Sequence, residues 1–258
     1  MTDMTGSVAI ITGGGRGVGA GIAKVFVKHG IKVCINYNSS VHRAEQTLKE
    51  VLELGGDAYL YQADISDRLQ IRAMVEDVIA RWGRLDILIN NSAAQPNRFF
   101  DEYDENNFKR IWDVNIGGCF RVTQECIPYL KNSEFPSIVN IASIHTKRPL
   151  VADVGYSATK GAIRMFTREA AIELGRKYGI NVNQINLGSC RVDGRTHNDD
   201  TMDWRSYRPR ETSAYSIHVL GRGTEPNDVG NLALFLASPD SHMVHGAGIR
   251  IDAGEMLL

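Results

Sequence analysis

Short apolar runs alternate with amphipathic helical stretches along all 258 residues of this chain. Strands are expected near residues 8–12, 32–37, 58–62, 86–90, 137–142, 181–186 and 248–251. Helices are expected near 18–29, 41–54, 67–81, 104–131, 155–178 and 226–237. Strand–helix alternation of this kind implies an α/β fold: a doubly wound parallel sheet of about seven strands with helices on both faces. No internal repeat, low-complexity tract or linker interrupts the pattern, so residues 1–258 read as a single domain. With 43% apolar residues the chain is long enough to bury a large core.

The first strand runs into a glycine cluster, Thr12-Gly13-Gly14-Gly15-Arg16-Gly17-Val18-Gly19, and a helical pattern follows through Ile22, Val25 and Phe26. Glycines in such a strand–loop–helix turn let the backbone approach a pyrophosphate, and the helix N-terminus faces the anion with free N–H groups. The expectation is a dinucleotide site on a Rossmann-like sheet. A polar stretch, 189–220, breaks the alternation after the sixth strand and carries Arg195, His197, Asp199, Asp200, Trp204, Arg205, Arg208 and Arg210. Ligands of open α/β sheets bind at the carboxyl ends of strands, so this stretch reads as a substrate lid, its arginines either meeting an anionic substrate or forming local ion pairs.

Tyr156 and Lys160 stand four residues apart in an expected helix, one turn apart on one face, with Ser143 thirteen residues before the tyrosine. A tyrosine of ordinary pKa, about 10, is a poor proton shuttle at neutral pH. An ammonium beside it is expected to stabilise the phenolate and bring it into a working range. Ser143 can hold the oxygen that gains or loses the proton. His145, two residues further on, either bonds a substrate hydroxyl or is a surface loop residue.

The glycine spacing, Asn90-Asn91-Ser92-Ala93 after a strand, Ser143, and the Tyr156/Lys160 pair together resemble the short-chain dehydrogenase/reductase family over essentially the whole chain. The resemblance implies an oxidoreductase moving a hydride between a nicotinamide and a carbonyl/alcohol carbon. Tyr156 would be acid or base, Lys160 would also bond the nicotinamide ribose, and Asn115 would support a proton-relay water. Otherwise Asn115 is an ordinary mid-helix residue bonding backward to the backbone. The implied cofactor contacts run through Gly13, Arg16, Gly17, Val18 and Gly19, then Tyr37, Asn38 and Ser39 at the end of the second strand. Asp64 and Ile65 would lie at the adenine ring, and Asn91 near the adenosine ribose. Asp64 is alternatively the N-cap of the next helix, a place Ser66 or Asp67 also suits.

Tyr37 stands where NAD-preferring members carry an acidic residue, and Arg16 offers a guanidinium to a phosphate. NADP(H) is therefore the expected cofactor, with use of NAD(H) left open. Two departures are plain. Ser92 and Ala93 replace an Ala-Gly pair, and Leu187 and Val192 replace the Pro and Thr that flank the nicotinamide carboxamide in the family. Thr196, or backbone groups around Cys190, would then hold the carboxamide.

The substrate reads as a sugar, polyol or small ketone. A 3-oxoacyl-carrier-protein reductase is the alternative, and a non-catalytic dinucleotide sensor or an epimerase or dehydratase is a more distant one. The four cysteines show no metal or redox spacing and read as buried free thiols; no metal is expected. A formal net charge of −1 recommends no nucleic acid, and the absence of an eighteen-residue apolar run gives no reason to expect a membrane span. With no leader pattern at Met1, a cytoplasmic protein is expected, and the family resemblance implies a homotetramer through the two long helices.

Overall fold

Side chains alternate between the two faces of a strand, and that period sorts this chain's apolar residues into two core layers. The computed structural model describes residues 2–192, 219–220 and 222–257. The strands are β1 (Val8–Ile11), β2 (Lys32–Tyr37), β3 (Ala58–Gln62), β4 (Ile87–Asn90), β5 (Ser137–Ser143), β6 (Asn181–Leu187) and β7 (Gly248–Ile251). The helices are α1 (Gly17–Lys28), α2 (Val41–Glu53), α3 (Arg68–Trp82), α4 (Glu105–Trp112), α5 (Cys119–Leu130), α6 (Val154–Tyr178) and α7 (Pro226–Ala237). All seven strands pair in parallel in the order β3-β2-β1-β4-β5-β6-β7. Each expected strand is present, with bounds within a residue or two of the sequence reading.

Ala9, Ile11, Val33, Ile35, Ile87, Ile89, Val139 and Ile141 point to one face and pack against Ile22, Val25 and Phe26 of α1 and Val229, Ala233 and Leu234 of α7. Their neighbours Val8, Ile10, Cys34, Leu88, Ile138 and Val182 point to the other face, against α3, α5 and α6. With both faces covered, the strands read as nearly continuous apolar runs. Each fully buried Ile or Leu among them contributes roughly 1.5–3 kcal/mol relative to exposure.

A run of buried polar side chains crosses this core. The Asn90 amide donates to Thr123 Oγ1 at 3.2 Å and to Asn140 Oδ1 at 2.9 Å. The Asn140 amide in turn donates to Thr167 Oγ1 at 2.9 Å. This chain of bonds ties β4 and β5 to α5 and α6, the elements that carry the site.

The expected helix over 104–131 is not one α-helix. Residues Asp113–Gly118 form a π-helical stretch between α4 and α5, with Asn115 inside it. An extra residue in a turn widens it locally, and such stretches gather at functional sites. The lid expected over 189–220 lies almost wholly outside the described residues, as do Thr196 and the polar and charged residues named with it. No described helix is long and apolar enough to cross a membrane.

The closest helix crossing is between α1 and α7. A Cβ added at Gly21 would stand 2.4 Å from the Pro226 carbonyl carbon, whereas one added at Gly161 in α6 meets nothing within 4 Å. Gly21→Ala should therefore cost about 1–3 kcal/mol through overpacking, and Gly161→Ala should be neutral or gain up to about 1 kcal/mol from helix propensity. Urea melts of the two variants test this. A Gly21→Ala midpoint equal to wild type would show that the crossing has slack.

Candidate active site

The strand order reverses between β1 and β4, and helices leave those two strands toward opposite faces. The gap opened at their carboxyl ends is where doubly wound sheets bind ligands. The turn after β1 is built to approach something closely. Gly17 has φ +54°, a left-handed conformation that side chains resist, and a Cβ on Gly19 would come within 2.4 Å of the Gly13 carbonyl oxygen. Arg16 is the N-cap of α1 but makes no capping bond, and α1 has no acidic residue in its first turn. The Arg16 guanidinium has no hydrogen bond or ion pair among the described residues.

Side chains from four segments fix this turn. Thr12 Oγ1 accepts from the backbone N–H of Asn91 at 2.9 Å and of Ser92 at 3.1 Å. The Asn91 amide donates to the carbonyls of Thr12 and Gly13, both at 3.0 Å. Asn36 Oδ1 accepts from Gly13 N at 3.2 Å, and Thr47 Oγ1 donates to Gly15 O at 2.9 Å. Asn91 thus braces the glycine turn, and Ser92 joins it through its backbone despite its departure from Ala.

Beside the turn lies a cavity of about 400 Å³. Its lining brings together Gly13, Arg16, Gly17, Val18, Tyr37, Asn38, Ser39, Asp64, Ile65 and Asn91, ten of the residues singled out from sequence. A second cavity of about 460 Å³, between α1, α2 and the start of α7, meets the first at Gly15, Arg16 and Gly17. Asp64 does not cap α3; Asp67 does, accepting from Leu69 N and Gln70 N. Asp64 Oδ1 accepts from Ser66 N at 2.8 Å and Ser66 Oγ at 2.7 Å, and Oδ2 pairs with Arg110 at 3.0 Å. Burial works against ionisation there, but the Ser66 and Arg110 bonds outweigh it and hold the carboxyl below its ordinary value.

Asn36, Thr47 and Arg110 are contributors that sequence reasoning missed. Arg110 comes from α4, far along the chain, and no local spacing marks it.

Ser143 ends β5, and α6 supplies Tyr156 and Lys160. Lys160 is only 2% exposed, its Nζ donates to Ile141 O at 2.8 Å, and it stands 5.3 Å from the Tyr156 ring centroid. Burial pushes the ammonium down to about 8, against a small opposing pull from Cys119. The Tyr156 phenol moves opposite to the sequence expectation: burial pushes it up to about 12, a Ser143 hydrogen bond works the other way, and Asp153 adds to the rise. The correction has a physical cause. Burial disfavours the phenolate, and Lys160 directs a proton at the Ile141 carbonyl rather than at the phenol. His145 is half-buried, its ring 6.4 Å from that of Tyr156 at an edge-on 66°, and its Nδ1 lies 3.0 Å from Arg148 O.

Asn115 is not a backward-bonding helix residue. Its Oδ1 accepts from Ala94 N at 2.7 Å, and its amide donates to Ala94 O at 3.0 Å and Thr159 Oγ1 at 2.9 Å. It links the cavity wall at Ala94 to α6, one residue before Lys160. Cys190 is not among the residues that line the cavity beside the glycine turn. It is 8% exposed within the core, forms a parallel bridge with Thr224, and burial pushes its thiol up to about 12. Neighbouring N–H groups are engaged too: Ser189 N donates to Glu255 at 2.8 Å and Arg191 N to Thr224 O at 2.8 Å. Val192 rather than Cys190 lines the cavity, against Gly17.

Among the described residues no group of three or more His, Cys, Asp or Glu side chains is placed to hold a metal ion. A nicotinamide dinucleotide fits what is present: a side-chain-free cradle at Gly13 and Gly17, a helix N-terminus behind it, and an unengaged guanidinium at its rim.

Residues 7–203 match a family model described as short chain dehydrogenase. An uncharacterised oxidoreductase of Methylorubrum extorquens is 35% identical over 98% of this chain and 99% of its own. Glucose 1-dehydrogenase 2 of Bacillus subtilis is 32% identical over 99% of this chain and 96% of its own. A short chain dehydrogenase from Burkholderia cenocepacia, solved in complex with NADP, superposes with a TM-score of 0.87 at 29% identity, covering 99% of this chain and all of that one.

Asn115→Leu should leave the half-buried Ala94 N–H and carbonyl without their side-chain partners, at a cost of about 1 kcal/mol or more. Thr159→Val, which removes one bond of the three, should cost less. Equal urea midpoints for Asn115→Leu and wild type would show that the clamp carries no stability.

Proposed function

This chain belongs to the short-chain dehydrogenase/reductase family, oxidoreductases acting between CH–OH and C=O, and from that premise we propose that it is an NADP(H)-preferring member with Tyr156 as its acid and base. The observation that supports the reading is that Ser143 at the end of β5 and Tyr156 and Lys160 of α6 stand together, Ser143 bonded to the phenol and Lys160 5.3 Å from its ring. A bound nicotinamide dinucleotide supplies the hydride chemistry. The protein's own part is the proton. Tyr156 keeps its phenolic proton across neutral pH and gives it to the carbonyl oxygen on reduction; in oxidation it takes the proton from the alcohol. The Ser143 hydroxyl holds that oxygen and stabilises its developing charge. Lys160 has two further N–H donors beyond its bond to Ile141 O, directed at a ribose in this reading.

Arg16 carries the cofactor preference. It stands free where the two cavities meet, and Tyr37 and Ser39 bring no negative charge to repel a 2′-phosphate. The Burkholderia relative's NADP agrees with this. A sugar, polyol or small ketone is the proposed substrate class, supported by the Bacillus relative named for glucose oxidation. Phe108 and Phe120 on α4 and α5, and Met165 and Ile172 on α6, are exposed. Their exposure on the two long helical segments supports a homotetramer through those helices.

A turnover screen with NADPH and NADH against aldoses, ketoses, acyl thioesters and aromatic ketones tests the reading. Tyr156→Phe should lower kcat by roughly 10²–10⁴-fold or more while NADPH still binds. Arg16→Ala should raise KM for NADPH about tenfold or more and leave NADH unchanged. Acceptance of an acyl-carrier thioester with free sugars inert would move the substrate to the acyl class, and near-normal Tyr156→Phe turnover would remove the assigned role.

A further inference from the structure

Asp153 immediately precedes α6, three positions before Tyr156. A residue there ordinarily caps the helix with its side chain. Asp153 does not; its side chain makes no capping bond. The residue is 1% exposed, its Oδ2 accepts from the Gln95 amide, and its Oδ1 is buried with no partner among the described residues. Buried polar atoms without partners are uncommon and call for a reason. The backbone of Asp153 also pairs with that of Arg98 in a parallel bridge. The segment leaving β4, whose Ala93 and Ala94 line the cavity, is therefore joined to the start of the tyrosine-bearing helix at this one residue.

We propose that Asp153, held by Gln95, is a positioning residue whose buried charge sets the proton affinity of Tyr156 and so the pH at which the phenol exchanges its proton. The proposal rests on the reading of Tyr156 as acid and base. Burial pushes the Asp153 carboxyl up to about 6, the Gln95 bond opposing. Above that pH it is an anion, and an anion beside a phenol disfavours the phenolate. Among the described residues it is the carboxylate that acts on Tyr156, whose phenol it raises.

The other groups around the pair come from several elements. The segment after β4 gives Gln95 and Arg98, and Arg98 makes no ion pair with Asp153. Tyr103 follows, its own phenol pushed up by burial and by Asp153. The end of β5 and its following turn give Ser143 and His145, α6 gives Lys160, and α5 gives the buried Cys119 thiol that faces Lys160.

Asp153→Asn keeps an oxygen for the Gln95 amide and removes the charge. Two readouts are taken. One is the pH profile of kcat/KM for NADP-dependent alcohol oxidation. Its rising limb should move down by about one pH unit. The other needs no turnover: alkaline phenolate absorbance of each protein minus that of its Tyr156→Phe counterpart, which should shift the same way. Gln95→Met removes only the donor, so Asp153 should hold its proton to higher pH: below that titration the profile should be displaced in the same direction as in Asp153→Asn, and at high pH it should follow wild type. Asp153→Asn with an unmoved phenol titration, or with activity reduced equally at every pH, would overturn the proposal. Absence of turnover in wild type alongside a shifted Tyr156 titration would sink the dehydrogenase reading and leave this coupling standing.

Discussion

A parallel sheet whose strand order reverses cannot close over its own ends. The turns after β1 and β4 lead to helices on opposite faces, and the space between them is bordered by backbone from both halves. Thr12, Asn36 and Asn91 stand around this gap, and each holds another segment's backbone. The cradle's shape follows from these cross-segment bonds as much as from its glycines. Asn115 repeats the device further along, joining the wall of the gap to the helix that bears Lys160.

The proton-transfer group shows how burial and charge compete. An adjacent ammonium favours a phenolate in water-accessible surroundings. Here the ammonium is itself buried and bonded to a carbonyl, and loses proton affinity for the same reason that the phenol gains it. Both groups are pressed toward their neutral forms.

Much of this was legible in the chain because periodicity reports burial directly. Alternating residues of β1, β2 and β4 separate cleanly into the two core layers, and the expected strands fall where the sheet has them. Ten of the cofactor candidates line one cavity because strand ends and the turns after them are local in sequence. What escaped was non-local or energetic. Arg110 reaches Asp64 across 46 positions. Cys190 was singled out for the backbone around it, and neither its burial nor its bridge to Thr224, far along the chain, is marked by any local spacing. The direction of the Tyr156 shift depends on depth of burial, which a Tyr-x-x-x-Lys spacing does not encode. Asp113–Gly118 holds Asn115 and the pair Gly117-Gly118, weak helix formers, but their composition does not tell a wider turn from a break in the helix.

That wider turn fixes an angle. Each helical residue advances the chain by about 100°, so the surplus position within Asp113–Gly118 decides how far the stripe of α5 is rotated from Ile111 of α4. With it, Cys119, Val122, Cys126 and Leu130 meet the sheet. A single codon lost from this stretch would turn those four away from the sheet and bring Phe120, Gln124 and Lys131 toward it. The stretch can therefore exchange residues more readily than it can change length.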